Sequence, residues 1–204
     1  MLIAFEGIDG AGTTTQSRRL YERLIRDGHS AMLTREPSDG PVGAMIRQAI
    51  ARRVVGADGA VLADESIALL FAADRMDHAR SVWGPRVAAG DLAITDRYVH
   101  SSLAYQSVGC PLDWVAEINR FAPDPSLVIF LDAPVDTCLQ RVHLRGGVRD
   151  IYERRDVLVN VAAAYEDAFA RRPCVMERLD ATASVDEVHD AVWLRVERAL
   201  RERS

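Results

Sequence analysis

Residues Gly7, Ile8, Asp9, Gly10, Ala11, Gly12, Thr13 and Thr14 come within one residue of the phosphate-binding pattern G-x-x-x-x-G-K-[ST]. Three glycines in six residues let the backbone turn so that several N–H groups converge on one anion. An apolar run precedes the loop and a helical periodicity follows it, so the loop opens a helix whose positive end adds to the cradle. Thr14 stands where a hydroxyl normally ligands magnesium, with Thr15 next to it. Thr13 stands where the pattern has lysine, and threonine supplies a hydrogen bond but no charge. All 25 basic side chains are arginine and the chain has no lysine. Any cation that takes over the lysine's task is therefore a guanidinium, planar and always protonated.

Other residues have spacings with chemical content. Arg35 and Arg97 each follow an apolar run, at the strand ends where open α/β sheets collect ligands. Phe71 and Arg75 are four apart and share a helix face. Arg141, Arg145 and Arg149 recur every four residues, with Gly146 and Gly147 interrupting. Basic residues beside a glycine pair suit a lid that closes over phosphates, or else a solvated helix face.

The elements that must position these residues alternate. Short segments at 2–5, 31–34, 92–95 and 127–131 read as strands, with a last strand at 175–179, and helical patterning covers 13–26, 41–53, 64–80, 82–89, 135–145 and 151–171. A last amphipathic helix opens at Ser184, with Glu187 in capping-box spacing. Strands alternating with helices imply an α/β fold with a parallel sheet covered on both faces. The whole chain, 1–204, reads as one domain, without repeats or a dividing linker, and with a lid at about 141–153.

Composition narrows the function. Hydrophobic residues make up 49% of the chain, enough for a packed core, and the net charge of −5 argues against a nucleic-acid binder. No apolar run approaches the ~18 residues of a membrane span, and the interrupted N-terminal run is too short for a signal peptide. The cysteines, Cys110, Cys138 and Cys174, are far apart and read as free thiols in a reducing cytoplasm.

Taken together, FEGIDGAG from Phe5, TREP from Thr34, LLFAADR from Leu69, DRYVHSSLAYQ from Asp96, PDPSLVIFLDAP from Pro123, RDIYERRD from Arg149 and LDATASVDEV from Leu179 resemble the bacterial thymidylate kinase family. The resemblance runs along almost the whole chain in order, and Thr13 is its main break. It implies a three-layer P-loop fold with a five-stranded parallel sheet and a short lid, and phosphoryl transfer from ATP to dTMP with Mg2+. It also implies a homodimer. Asp9 matches a loop carboxylate that reaches toward the acceptor and the metal. Arg35 and Arg97 match arginines that hold the acceptor phosphate, and Asp96 an acidic partner of metal and phosphate. Phe71 matches a ring stacked on thymine and Arg75 a reader of a base carbonyl. Ser102 matches a polar residue near the base, and Tyr105 a tyrosine against the sugar's 2′ position, followed by Gln106. Arg145 or Arg149 is the expected source of the missing charge. Thr13 leaves two alternatives open: a catalytically impaired nucleotide-binding homologue, and a kinase for another nucleoside or nucleotide.

Overall fold

The five predicted strand segments become β1 (Leu2–Glu6), β2 (Ala31–Arg35), β3 (Leu92–Asp96), β4 (Leu127–Asp132) and β5 (Met176–Asp180). They form one all-parallel sheet, order β2-β3-β1-β4-β5, in a computed structural model that describes residues 1–145 and 154–202, Arg145 by its backbone alone. β1 lies at the centre, every residue buried, with Phe5 opposite Asp96 on one side and Ile129 on the other. Helices cover both faces, which is why the central strands β1, β3 and β4 read as continuous apolar runs rather than alternating ones. Strands β1 to β4 each run one residue past the apolar stretch, into Glu6, Arg35, Asp96 and Asp132. Sheet pairing needs only backbone groups, so the ladder carries these charged side chains to the carboxyl edge.

α1 (Thr13–Arg26) buries Leu20 and Leu24 and packs beside α9 (Val185–Arg201), whose Ser184 and Glu187 complete both bonds of the capping box. α2 (Pro41–Ile50) is shorter than the predicted 41–53, and Arg52 turns there with φ 56°. α3 (Asp64–His78) passes into a π-helical turn at Ala79–Trp83 and then α4 (Gly84–Ala88), where the pattern predicts a helix over 64–80 that continues over 82–89. α5 (Val99–Tyr105) and α6 (Leu112–Ile118) have no counterpart among the predicted elements. All seven residues of α5 are buried, so it lacks the polar face on which a helical period shows. α7 (Val135–Arg145) covers the predicted 135–145 as far as the described residues reach. α8 (Arg155–Arg171) begins later than the predicted 151, since Arg154 is extended, at φ −96° and ψ 142°. Gly146, Gly147, Arg149 and most of the 141–153 lid lie outside the described residues. Cys110, Cys138 and Cys174 are free, and burial pushes the Cys138 and Cys174 thiols up to about 11.

His100 gives the fold an acid-sensitive point. Its Nε2–H donates to the Arg172 carbonyl at 2.9 Å, Nδ1 is buried without a partner, and Phe169 lies over the ring at 5.0 Å. Protonation would place an N–H where nothing accepts it, and burial accordingly lowers the folded-state pKa. A depressed histidine leaves stability intact above the unfolded pKa of about 6.5 and loses it as pH falls. The unfolding temperature is expected to drop from pH 7 to pH 5, and to drop less in His100→Gln. Equal slopes in wild type and variant would remove His100 from the explanation.

Candidate active site

Where β1 ends, Glu6 is fully buried; its carboxylate accepts from the Tyr98 N–H, the Ser101 hydroxyl and the Tyr165 hydroxyl. The next residue, Gly7, donates its N–H to Tyr165 Oη at 3.3 Å, so helix α8 anchors the start of the loop. Gly10 turns at φ 89°, and a Cβ there would stand 2.2 Å from the Cys138 carbonyl oxygen of α7, so only glycine fits. Gly12 caps α1 without a side-chain bond, which leaves the first-turn amides for another acceptor. Residues 9–16 line a cavity of about 490 Å³, joined by Arg97, Arg141 and an apolar wall of Ala183, Val185 and Val188. Of the predicted loop set, Asp9, Gly10, Ala11, Gly12, Thr13, Thr14 and Thr15 line this cavity, while Gly7 and buried Ile8 support it from beneath.

Thr14 Oγ1 donates to Asp96 Oδ2 at 2.5 Å, and Asp96 Oδ1 is buried with no partner among the described residues. A hydroxyl beside an unsatisfied carboxylate oxygen is a hard, oxygen-only donor set. It fits Mg2+, which takes one or two protein oxygens and completes its shell with phosphate and water.

A second cavity of about 120 Å³ adjoins the first, and among its lining residues are Asp9, Glu36, Phe71, Arg75, Arg97, Ser102, Tyr105 and Gln106. Phe71 and Arg75 do share one face of α3. Arg75 is 1% exposed, and its guanidinium is held by Glu36 (Nε to Oε2, 2.9 Å), Ser102 (2.8 Å), the Tyr98 carbonyl (3.3 Å) and the Asn119 side chain. Most of its donors are thus committed to the protein, and Ser102 serves as one of its acceptors. Tyr105 Oη accepts from the Asp9 N–H at 3.0 Å and its ring lies 4.9 Å from the Arg97 guanidinium.

Arg97 joins the two cavities. Its backbone is left-handed, φ 70°, and its N–H donates to the Phe5 carbonyl. The guanidinium reaches the Asp9 carboxylate at 2.5 Å, the Gly7 carbonyl at 2.6 Å and Ser101 at 3.2 Å. Burial opposes its charge, but Tyr105, Asp9, Tyr165 and Asp96 raise its pKa well above the ordinary guanidinium value. Arg35 lies elsewhere. It is paired with Asp39 at 2.6 Å and faces a cleft with Thr14, Arg18 and Asp96 on the metal side, rather than lining the cavity with Phe71. The Arg145 side chain and all of Arg149 lie outside the described residues.

The thymidylate kinase family model matches residues 5–192. The chain belongs to the thymidylate kinase family. It is 38% identical over 209 residues to a "Probable thymidylate kinase" of Thermococcus onnurineus (strain NA1), covering all of both chains. To the "Probable thymidylate kinase" of Pyrococcus horikoshii the identity is 38% over 199 residues, 97% of this chain and 96% of that one. A "Thymidylate kinase" of Xanthomonas oryzae pv. oryzae (strain PXO99A) is 43% identical over 159 residues, 78% of this chain and 67% of that one. In this thymidylate kinase family member, Glu6, Glu36, Tyr98, Ser101 and Tyr165 also shape the site, and none was singled out from the sequence. Glu6 and Glu36 stand inside quoted motifs, next to Gly7 and Arg35, and that adjacency was the available signal. Tyr165 gave none, since 158 residues separate it from Gly7.

Proposed function

We propose that this family member, as one domain, transfers the γ-phosphoryl group of ATP to dTMP, giving ADP and dTDP. The observation that carries this reading is that Asp9 and Arg97 line both cavities, so the terminal phosphates of donor and acceptor meet at one ion pair. ATP lies over the glycine loop, with its base against Ala183, Val185 and Val188. dTMP lies in the second cavity, with thymine against Phe71. A phosphate oxygen of dTMP attacks Pγ as the bond from Pγ to the ADP oxygen breaks; the nucleophile is already an anion, so no general base is required. Catalysis is then alignment and charge neutralisation. Arg97 serves the acceptor phosphate, which a planar guanidinium fork suits. Tyr105 and Asp9 hold that guanidinium in place. Thr14 and Asp96 would hold Mg2+, which would supply charge for the phosphate oxygens. Leu69 and Met76, exposed on α3, support a homodimer through that helix.

The matched relatives favour neither the impaired homologue nor a kinase for another nucleoside or nucleotide. A coupled ADP-release assay is expected to show turnover that needs ATP, Mg2+ and dTMP together. ADP release that ignores dTMP, or that prefers another monophosphate in a panel, would refute the assignment. Phe71→Ala is expected to raise KM for dTMP roughly tenfold or more, since a lost base–aromatic stack costs about 1–3 kcal/mol. An unchanged KM would return Phe71 to the core.

A further inference from the structure

We infer that Arg141, on α7, supplies the donor-phosphate charge that Thr13 cannot, in place of the lid arginines 145 and 149. The inference rests on the ATP reading above. Two arginines line the donor cavity among the described residues, Arg97 and Arg141. Arg97 pairs with the Asp9 carboxylate and, in that reading, already serves the acceptor phosphate. Arg141 differs in its partners. Its guanidinium bonds two neutral carbonyl oxygens, Ala181 at 2.8 Å and Gly10 at 3.5 Å, and among the described residues no carboxylate pairs with it. A part-buried guanidinium that no anion neutralises is costly, and a bound polyphosphate removes that cost.

Its position also fits. The Cys138 carbonyl of α7 presses on Gly10 so closely that no Cβ could intervene. Arg141 is three residues on, on the same helix face, so the ridge that touches the phosphate loop carries the cation. Val142, four residues from Cys138, lines the same cavity. The Gly10 bond, at 3.5 Å, is at the weak limit of hydrogen bonding. Moving from it to a phosphate oxygen exchanges a neutral acceptor for a charged one, and charge-assisted bonds are roughly twice as strong.

A mutant cycle tests this. Arg141→Gln, Thr13→Lys and the double variant are compared with wild type by calorimetric titration of ATP, ADP and AMP, and by dTMP-dependent ADP release. Arg141→Gln is expected to lower kcat on the order of a thousandfold in the wild-type background, the low end of what a phosphate-clamping arginine contributes. With Thr13→Lys the same change should cost less than about threefold, because a lysine then occupies the site, and residues serving one task are non-additive. ATP and ADP affinity should fall more than AMP affinity. Equal losses in both backgrounds, or equal losses for all three nucleotides, would overturn the inference and assign Arg141 to the base or ribose. Arg141→Lys, which keeps the charge, should retain ATP affinity above that of Arg141→Gln, and gives a reading if the glutamine variant does not fold. Binding needs neither acceptor nor turnover. Arg141 can therefore fail this cycle while dTMP is phosphorylated, or pass it while the acceptor proves to be another nucleotide.

Discussion

Arg97→Gln is expected to lower kcat/KM for dTMP by about a thousandfold to a hundred-thousandfold, the range that a transition-state arginine contributes to phosphoryl transfer. The geometry gives the reason. Arg97 is the arginine that lines both cavities, and its guanidinium lies against Asp9, the Gly7 carbonyl and Tyr105. Glutamine retains a donor but loses the charge and the two-pronged fork. Folding should be far less affected. The left-handed backbone at φ 70° disfavours arginine and glutamine alike, so that strain, on the order of 1–2 kcal/mol, is present in both proteins. Steady-state kinetics over dTMP concentration, with a thermal melt as the fold control, measures both quantities. A loss under tenfold in a well-folded variant would mean that Arg97 only organises the loop.

The second large effect falls on stability. Glu36→Ala is expected to cost about 3–5 kcal/mol, as removal of one partner from a buried ion pair does. Glu36 and Arg75 meet at 2.8 Å with side chains 3% and 1% exposed, and His78 approaches the other Glu36 oxygen at 3.4 Å. Without Glu36 the Arg75 guanidinium stays buried with neutral acceptors only. For a chain of this size each kcal/mol moves Tm by about 2–4 °C, so a fall of roughly 6–20 °C should appear in a thermal melt. Pairing Glu36→Ala with Arg75→Met should recover much of the loss, since a buried apolar replacement removes the unpaired charge. If the double variant melts no higher than the single one, the ion pair is not the cause. Glu36 also lines the acceptor cavity, so KM for dTMP should rise in the single variant.

Much of the architecture was legible because it is local. A strand buried on both faces shows as an apolar run, and three glycines in six residues mark the tight turn of the loop, although the approach of Cys138 to Gly10 appears only in the fold. Phe71 and Arg75 were readable as a pair because helix geometry puts residues four apart together. α5 was not legible: with every residue buried it has no period. Arg35 stands at the end of β2, and only the fold shows its side chain paired with Asp39 beside the cleft of Thr14, Arg18 and Asp96. Ser102 lines the predicted cavity, but as an acceptor for Arg75.

By itself, the sequence determined the glycine loop, the five strands with most of the helices between them, and the rule that any replacement for the missing lysine is an arginine, because each depends on residue type and short spacing. Tertiary structure decided which groups meet. Tyr165 reaches Gly7 across 158 residues and Arg141 reaches Gly10 across 131. Such meetings follow from how helices α7 and α8 cross the sheet, and no short-range pattern in the chain encodes that crossing.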